Sequence, residues 1–293
     1  MIRALQLIAA MLLCAASASA ETPLERGRYL VNGILACGNC HTPKNSAGVP
    51  IMDKELSGGL AFSVPPFKAT APNITPDPET GIGSWTDEEI KRALIEGIRP
   101  NHGRLPGAPL AAVMAVNFYK AFLPRDLDAV VAYLRSVPPV KNAVPDPEYR
   151  APVRHEPYPD AETGFTEAAL RDPVQRGKYL ATIGHCMECH SPMEKGVSDF
   201  VNRLGSGGRE FGPQIVQGFP ADWPGSKARN ITPHKTAGIG AWSDADIRNA
   251  ITKGVRPDGT KLKFPMSFAS YDKMTDEDLN AIVAYLRNLP PKE

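Results

Sequence analysis

Four of the five cysteines in this 293-residue chain fall into two copies of one pattern. The first is Cys37-Gly38-Asn39-Cys40-His41, in "ACGNCHTP"; the second is Cys186-Met187-Glu188-Cys189-His190, in "HCMECHSP", 149 positions later. Two thiols three residues apart, followed at once by an imidazole, suit more than one chemistry. In an exported protein the default reading of four cysteines is two disulfides, and a close Cys-x-x-Cys pair also suits a redox-active dithiol. Both readings leave the histidine without a role, twice. Four Cys and two His also suit structural zinc, but such a site would join ligands from two halves that each look complete.

Attachment of c-type haem uses all three side chains. The two thiols form thioethers to the vinyl groups, and the adjacent histidine reaches the iron as proximal ligand. The expectation is therefore two covalently bound haem c groups, one held by Cys37 and Cys40 with His41 on its iron, the other by Cys186 and Cys189 with His190. The fifth cysteine, Cys14, belongs to a leader. Arg3, the run "ALQLIAAMLLCAA" and "ASA" at Ala18 to Ala20 read as an export signal cleaved after Ala20. The run falls short of the roughly 20 apolar residues that spanning a bilayer needs. Leu13 is not the small residue expected before a lipidated cysteine, so lipid attachment at Cys14 is not expected.

The elements that must position these motifs are themselves duplicated. "RGRYL" at Arg26 returns as "RGKYL" at Arg176, "NIT" at Asn73 returns at Asn230, "GIGSW" at Gly81 returns as "GIGAW" at Gly238, and "DLDAVVAYLRSVPP" at Asp126 returns as "DLNAIVAYLRNLPP" at Asp278. The offsets run 149 and 150, then 157, then 152. The second half thus gained seven or eight residues after its Cys-x-x-Cys-His motif and lost five before its last helix, changes that surface loops absorb.

Within one unit, Leu24 to Asn32 reads as a short helix leading to the motif. Thr86-Asp87-Glu88-Glu89 is a capping box opening a helix towards Gly97, and Asp126 to Arg135 has helical apolar spacing that stops before Pro138-Pro139. Long Gly- and Pro-rich loops lie between, and no stretch alternates as strand. The expected fold is all-α: two small helical haem domains in tandem, with long loops and a haem completing each core. The boundaries are 1–20 for the leader, 21–140 for the first domain, 141–168 for a connector and 169–293 for the second domain. From Val140 to Gly164 there are five prolines in 25 residues, which reads as an extended, fairly stiff connector.

The duplication also selects the remaining candidates. Met114 lies twelve residues before Asp126 and Met266 twelve before Asp278, each with a tyrosine five residues on, Tyr119 and Tyr271. This matching makes them the candidate second axial ligands, although any one methionine more often fills core. Met114 lies in the apolar stretch "LAAVMAVNFY", which suits a core helix equally, and His102 is then a substitute ligand for the first site. Trp85 and Trp242 match, and an indole N-H can bond a haem propionate or pack at a helix start. Asn73 and Asn230 have the same two readings. His155, His185 and His234 read as surface or local hydrogen-bonding groups.

"RGxYL", Cys-x-x-Cys-His, "NITPDPETGIGSW", "TDEEI", a methionine and "DLxAxVAYLRSxPP" together resemble the class I cytochrome c modules of the multihaem cytochrome subunits of bacterial alcohol, gluconate and aldehyde dehydrogenases, and of related periplasmic dihaem cytochromes. The resemblance covers nearly all of the chain after the leader. It implies helical haem domains, His/Met ligation by His41 with Met114 and His190 with Met266, and electron passage from a dehydrogenase towards quinone or a respiratory oxidase; the expected redox partners are a dehydrogenase, a terminal oxidase or a soluble cytochrome. Those subunits usually hold three modules and often a membrane-associating tail; two modules ending at "LPPKE" suggest a shorter relative or a free carrier, with any membrane association peripheral and through a partner. Six-coordinate irons leave no place for substrate, so the expected role is one-electron transfer in the periplasm. The alternative is a dihaem enzyme, such as a cytochrome c peroxidase or a thiosulfate-oxidising cytochrome, with one labile haem ligand. Loss of Arg3 with the leader leaves 32 basic against 32 acidic residues, so no nucleic-acid role or strong electrostatic steering is expected.

Overall fold

A computed structural model describes residues 21–217 and 222–293; the leader, its cleavage site and Cys14 lie outside them. The helices are α1 (Pro23–Asn32), α2 (Gly38–His41), α3 (Asp87–Glu96), α4 (Val116–Tyr119), α5 (Pro124–Ser136), α6 (Pro159–Thr163), α7 (Pro173–Ile183), α8 (Cys186–His190), α9 (Asp244–Lys253), α10 (Phe268–Tyr271) and α11 (Asp276–Asn288). The sequence duplication is a structural one: α1 to α5 without interruption recur as α7 to α11. Local chemistry starts and stops these helices. Thr22 and Glu25 form a capping box on α1, Thr86 and Glu89 on α3, and Ser243 and Asp246 on α9. Left-handed glycines, Gly97 and Gly254, close α3 and α9.

The expectation of an all-α chain is overturned. With 35% of the described residues in helix and 10% in strand, the architecture is helical at its centre with small sheets in its loops. The strands are β1 (Ala61–Val64), β2 (Phe67–Thr70), β3 (Glu148–Tyr149), β4 (Met193–Glu194), β5 (Val197–Ser198), β6 (Glu210–Phe211), β7 (Val216–Gln217) and β8 (Ser226–Lys227). β1 and β2 form a hairpin with Val64 opposite Phe67 across Pro65-Pro66, and an antiparallel sheet runs β3-β2-β1-β7. The other pairs are β4-β5 and β6-β8. These strands escape a periodicity search for physical reasons. A proline pair punctuates the hairpin as a loop, every residue of β1 is half-buried with no alternation, and two-residue strands are too short to show a period.

The connector does not hang free. β3 pairs with the first half's hairpin, Arg150 N-H donates to Pro66 O (2.8 Å), Asn142 Nδ2 donates to Ser57 O (2.9 Å), and the backbone N-H of Ser198, in the second half, donates to Glu156 Oε2 (2.9 Å). Tyr158, fully buried, packs at a tilt on Phe118 of the first half and edge-to-face with Phe200 of the second.

Each "RGxYL" motif performs three packing tasks. Its arginine bonds the last helix of its own half: Arg26 is bidentate to Asp126 (2.9 Å twice), and Arg176 Nε meets Asp278 Oδ1 at 2.5 Å. Its glycine lets that helix come close, since a Cβ on Gly27 would lie 1.9 Å from Ala129 O and one on Gly177 1.8 Å from Ala281 O. Its tyrosine crosses to the other half: Tyr29 donates to Asp278 (2.5 Å) and Tyr179 to Asp126 (2.7 Å). The helix pairs α1/α5 and α7/α11 are thus joined by reciprocal bonds into one continuous apolar core.

Candidate haem-binding sites

The single-turn helices α2 and α8 carry the two Cys-x-x-Cys-His motifs. Residues i, i+3 and i+4 of one turn share a face, so each turn presents two thiols and an imidazole together. All four cysteines are unpaired. Burial pushes the thiols up, Cys40 to about 11 and Cys37, Cys186 and Cys189 to about 12. They lack the thiolate character of a redox dithiol at neutral pH. Among the described residues no group of three or more His, Cys, Asp or Glu is arranged to hold a metal ion directly.

The imidazoles show how haem fits. His41 Nδ1 lies 2.7 Å from Pro72 O, and His190 Nδ1 lies 2.7 Å from Arg229 O. A carbonyl only accepts, so Nδ1 carries the proton in both. Burial holds both rings below the ordinary histidine range, which keeps them neutral and leaves the lone pair on Nε2. A histidine oriented by a backbone carbonyl through one nitrogen, with the other free, is the arrangement of an axial ligand. The unpaired thiols and the directed Nε2 fit covalent haem at each motif.

The methionines occupy matching positions. Met114 and Met266 both sit at a bend two residues before a four-residue helix, α4 or α10, so "LAAVMAVNFY" is a turn and a short helix rather than a long core helix. Tyr119 lies near Cys37 and Cys40, and Tyr271 near Cys186 and Cys189; burial first, and then these thiols, raise both hydroxyls well above the ordinary tyrosine range. Tyr119 also feels Glu188 of the second motif and Tyr271 also feels Cys40 of the first, so both methionine loops lie close to the pair of motifs. His102 is exposed in the loop after α3, with Nε2 2.9 Å from Oε1 of Glu89 on that helix.

The other candidates are held by the protein as follows. Asn73 Nδ2 donates to Val140 O (2.7 Å) and Thr80 Oγ1 (2.9 Å), and its Oδ1 accepts from Thr75. Asn230 does the equivalent with Lys292 O (2.7 Å) and Thr232. Both asparagines thus pin the chain that follows the last helix of their half. Arg135 holds the carbonyls of Ile82 and Trp85, and Arg287 those of Ile239 and Trp242. The indoles pack partly buried on the core. His185 Nδ1 lies 3.1 Å from Glu188 Oε2, His234 accepts from Ala237 N-H (3.0 Å), and His155 Nε2 lies 3.2 Å from Leu110 O.

The two motifs are neighbours. Ile34, just before the first, packs on Gly184, just before the second, where a Cβ would lie 2.7 Å from Ile34 Cδ1. Asn39, inside the first, donates to Pro265 O beside Met266 (3.0 Å), and Cys189 is close enough to Cys40 for charge on one to raise the other. Neither the carbonyl anchors nor these cross-half contacts carry a local sequence signal, because each joins residues far apart in the chain.

Residues 174–290, from α7 through α11, match the family model for cytochrome c. Nearly the whole chain is similar to the cytochrome c subunit of a quinone-dependent alcohol dehydrogenase from Gluconacetobacter polyoxogenes, 31% identical over 97% of this chain and 60% of that protein. It is also similar to a fructose dehydrogenase cytochrome subunit from Gluconobacter japonicus (32%, over 94% and 54%) and to a diheme cytochrome c-type protein from Cereibacter sphaeroides (28%, over 88% and 83%). The chain spans about 60% of the length of the alcohol dehydrogenase subunits it matches.

Proposed function

Residues 174–290 belong to the cytochrome c family, and from that premise we propose that the chain is a periplasmic dihaem cytochrome. It receives single electrons from a dehydrogenase and delivers them towards a terminal oxidase or a soluble cytochrome. Membership implies covalently bound haem c. The second haem, in the first half, is inferred from the repeated site, and the observation that carries it is the pair of imidazoles each anchored through Nδ1 at 2.7 Å.

In this reading Cys37 and Cys40 anchor one haem and Cys186 and Cys189 the other. His41 and His190 present Nε2 to the irons, and Met114 and Met266 supply thioethers from matching bends. Bound haem supplies an iron that cycles between two oxidation states by one electron. The protein's contribution would be to hold each iron with a histidine, His41 or His190, and a methionine, Met114 or Met266, a set that would leave no place for substrate and, with methionine in place of a second histidine, would raise the potential. Trp85 and Trp242 are the proposed propionate donors. The dehydrogenase partner is supported by the similar proteins, which are cytochrome subunits of alcohol, fructose and gluconate dehydrogenases. Export is supported by the composition of residues 3 to 20, and any membrane association is through a partner.

The test is a redox-titrated visible and near-infrared spectrum of protein matured with a haem-attachment system. Two low-spin haems are expected, each with the weak iron–methionine band, one lost in Met114→Ala and the other in Met266→Ala. A high-spin site that turns over peroxide would contradict this reading and favour a dihaem enzyme.

A further inference from the structure

The connector occurs once in a chain whose other parts occur twice, so whatever it adds to one methionine loop the other lacks. In the second half the ring of Phe268 lies behind Gly254 (φ 62), where a Cβ would meet Phe268 Cδ2 and Cε2 at 3.0 Å. Gly97 (φ 72) is the matching glycine of the first half, and the residue matching Phe268 is Val116. A Cβ on Gly97 would meet Val116 Cγ2 at 3.2 Å, and nearer still the imidazole of His155, with Nε2 at 2.9 Å and Cδ2 at 3.3 Å. A connector side chain thus fills the space that an aromatic ring of the methionine loop itself fills in the other half.

The imidazole also bonds where a phenyl ring cannot. Leu110 N-H donates to Gly97 O at 2.7 Å, as Leu262 N-H does to Gly254 O at 2.7 Å, so the two loops leave their glycines in the same way. Among the described residues a further bond follows only in the first half, from His155 Nε2-H to Leu110 O at 3.2 Å, with the backbone of Met114 also facing the ring. His155 thus bonds Leu110, four residues before Met114, and shares the space behind Gly97 with Val116, two residues after it.

We propose that His155 is the positioning residue of the first methionine loop, seating residues 110–116 so that Met114 presents its sulfur to the first iron. This rests on the reading that Met114 and Met266 are axial ligands. It makes the two sites unequal by construction: one loop is held by a polar ring from the connector, the other by its own Phe268.

The test uses the full haem-loaded protein and four forms: wild type, His155→Ala, His155→Ala with Val116→Phe, and Met114→Ala. The readouts are the near-infrared iron–methionine absorption and the potential of each haem. His155→Ala is expected to lower the methionine band by about half, the share of one of two sites, and to shift one potential while the other stays. Val116→Phe, which rebuilds the packing of the second half, is expected to return most of the band. An unchanged band and unchanged potentials in His155→Ala, with Met114→Ala losing its half, would overturn the role of His155 and leave the ligand reading intact. Loss from both haems alike, or no recovery with Val116→Phe, would also overturn it, since general destabilisation would then be the cause. An unchanged band in Met114→Ala would refute the ligation itself and this proposal with it.

Discussion

The side chain that ties the halves most tightly is a carboxylate. The Asp126 side chain is fully buried, with a guanidinium from its own half and a phenol from the other on its two oxygens. Burial pushes its carboxyl up, but Arg26 and Tyr179 outweigh burial and hold it below the ordinary aspartate range. A depressed value stabilises the fold above the unfolded value of about 4, and that contribution is lost as pH falls through the folded one. Asp126→Asn leaves Arg26 buried and unpaired, a change that costs on the order of 3 kcal/mol. Tyr179→Phe removes one hydrogen bond to a charged group, about 1.5 kcal/mol. Chemical denaturation from acid to neutral pH should rank the asparagine variant as the less stable at neutral pH and show a shallower acid loss for it; equal acid limbs in variant and wild type would show that Asp126 is not the group responsible.

Helices were legible where chemistry is local. Thr86 with Glu89 marked the start of α3, Gly97 its end, and the repeat of "DLDAVVAYLR" its partner α5. The strands were not, because a proline pair hides one hairpin and the two-residue strands exist only through pairing with distant segments such as β3 with β2. The motif "RGxYL" was visible as a repeat, yet its division into arginine within the half, glycine at the crossing and tyrosine across halves depends on contacts 53 to 249 residues away in sequence. At this scale the glycine is the sharpest test. A methyl group on Gly177 would overlap Ala281 O, so Gly177→Ala must push α7 off α11, and overpacking of this kind costs about 1–3 kcal/mol. Gly27→Ala should behave alike on α1 and α5. A clear drop in thermal midpoint for both is expected; unchanged midpoints would mean the helices part without cost and that the crossing is not what the glycine secures.

For the whole molecule, duplication and connection act together. The candidate sites were readable as pairs because each residue type recurs at its matching position, whereas their mutual arrangement was not, since it follows from Ile34 against Gly184, Asn39 on Pro265 and the reciprocal tyrosines. Among the described residues no helix is long and apolar enough to cross a membrane, and the halves share one core with the connector threaded through it. A molecule built this way places its two Cys-x-x-Cys-His turns close together on one shared core, which would suit electron passage between the two proposed haems. The claim everything rests on is the number of haems covalently held. Intact mass of the full chain, produced with a haem-attachment system and denatured before measurement, measures it directly. A gain of two haems is expected, falling to one in Cys37→Ala/Cys40→Ala and likewise to one in Cys186→Ala/Cys189→Ala. A wild-type chain that gains only one haem, or none, would contradict it.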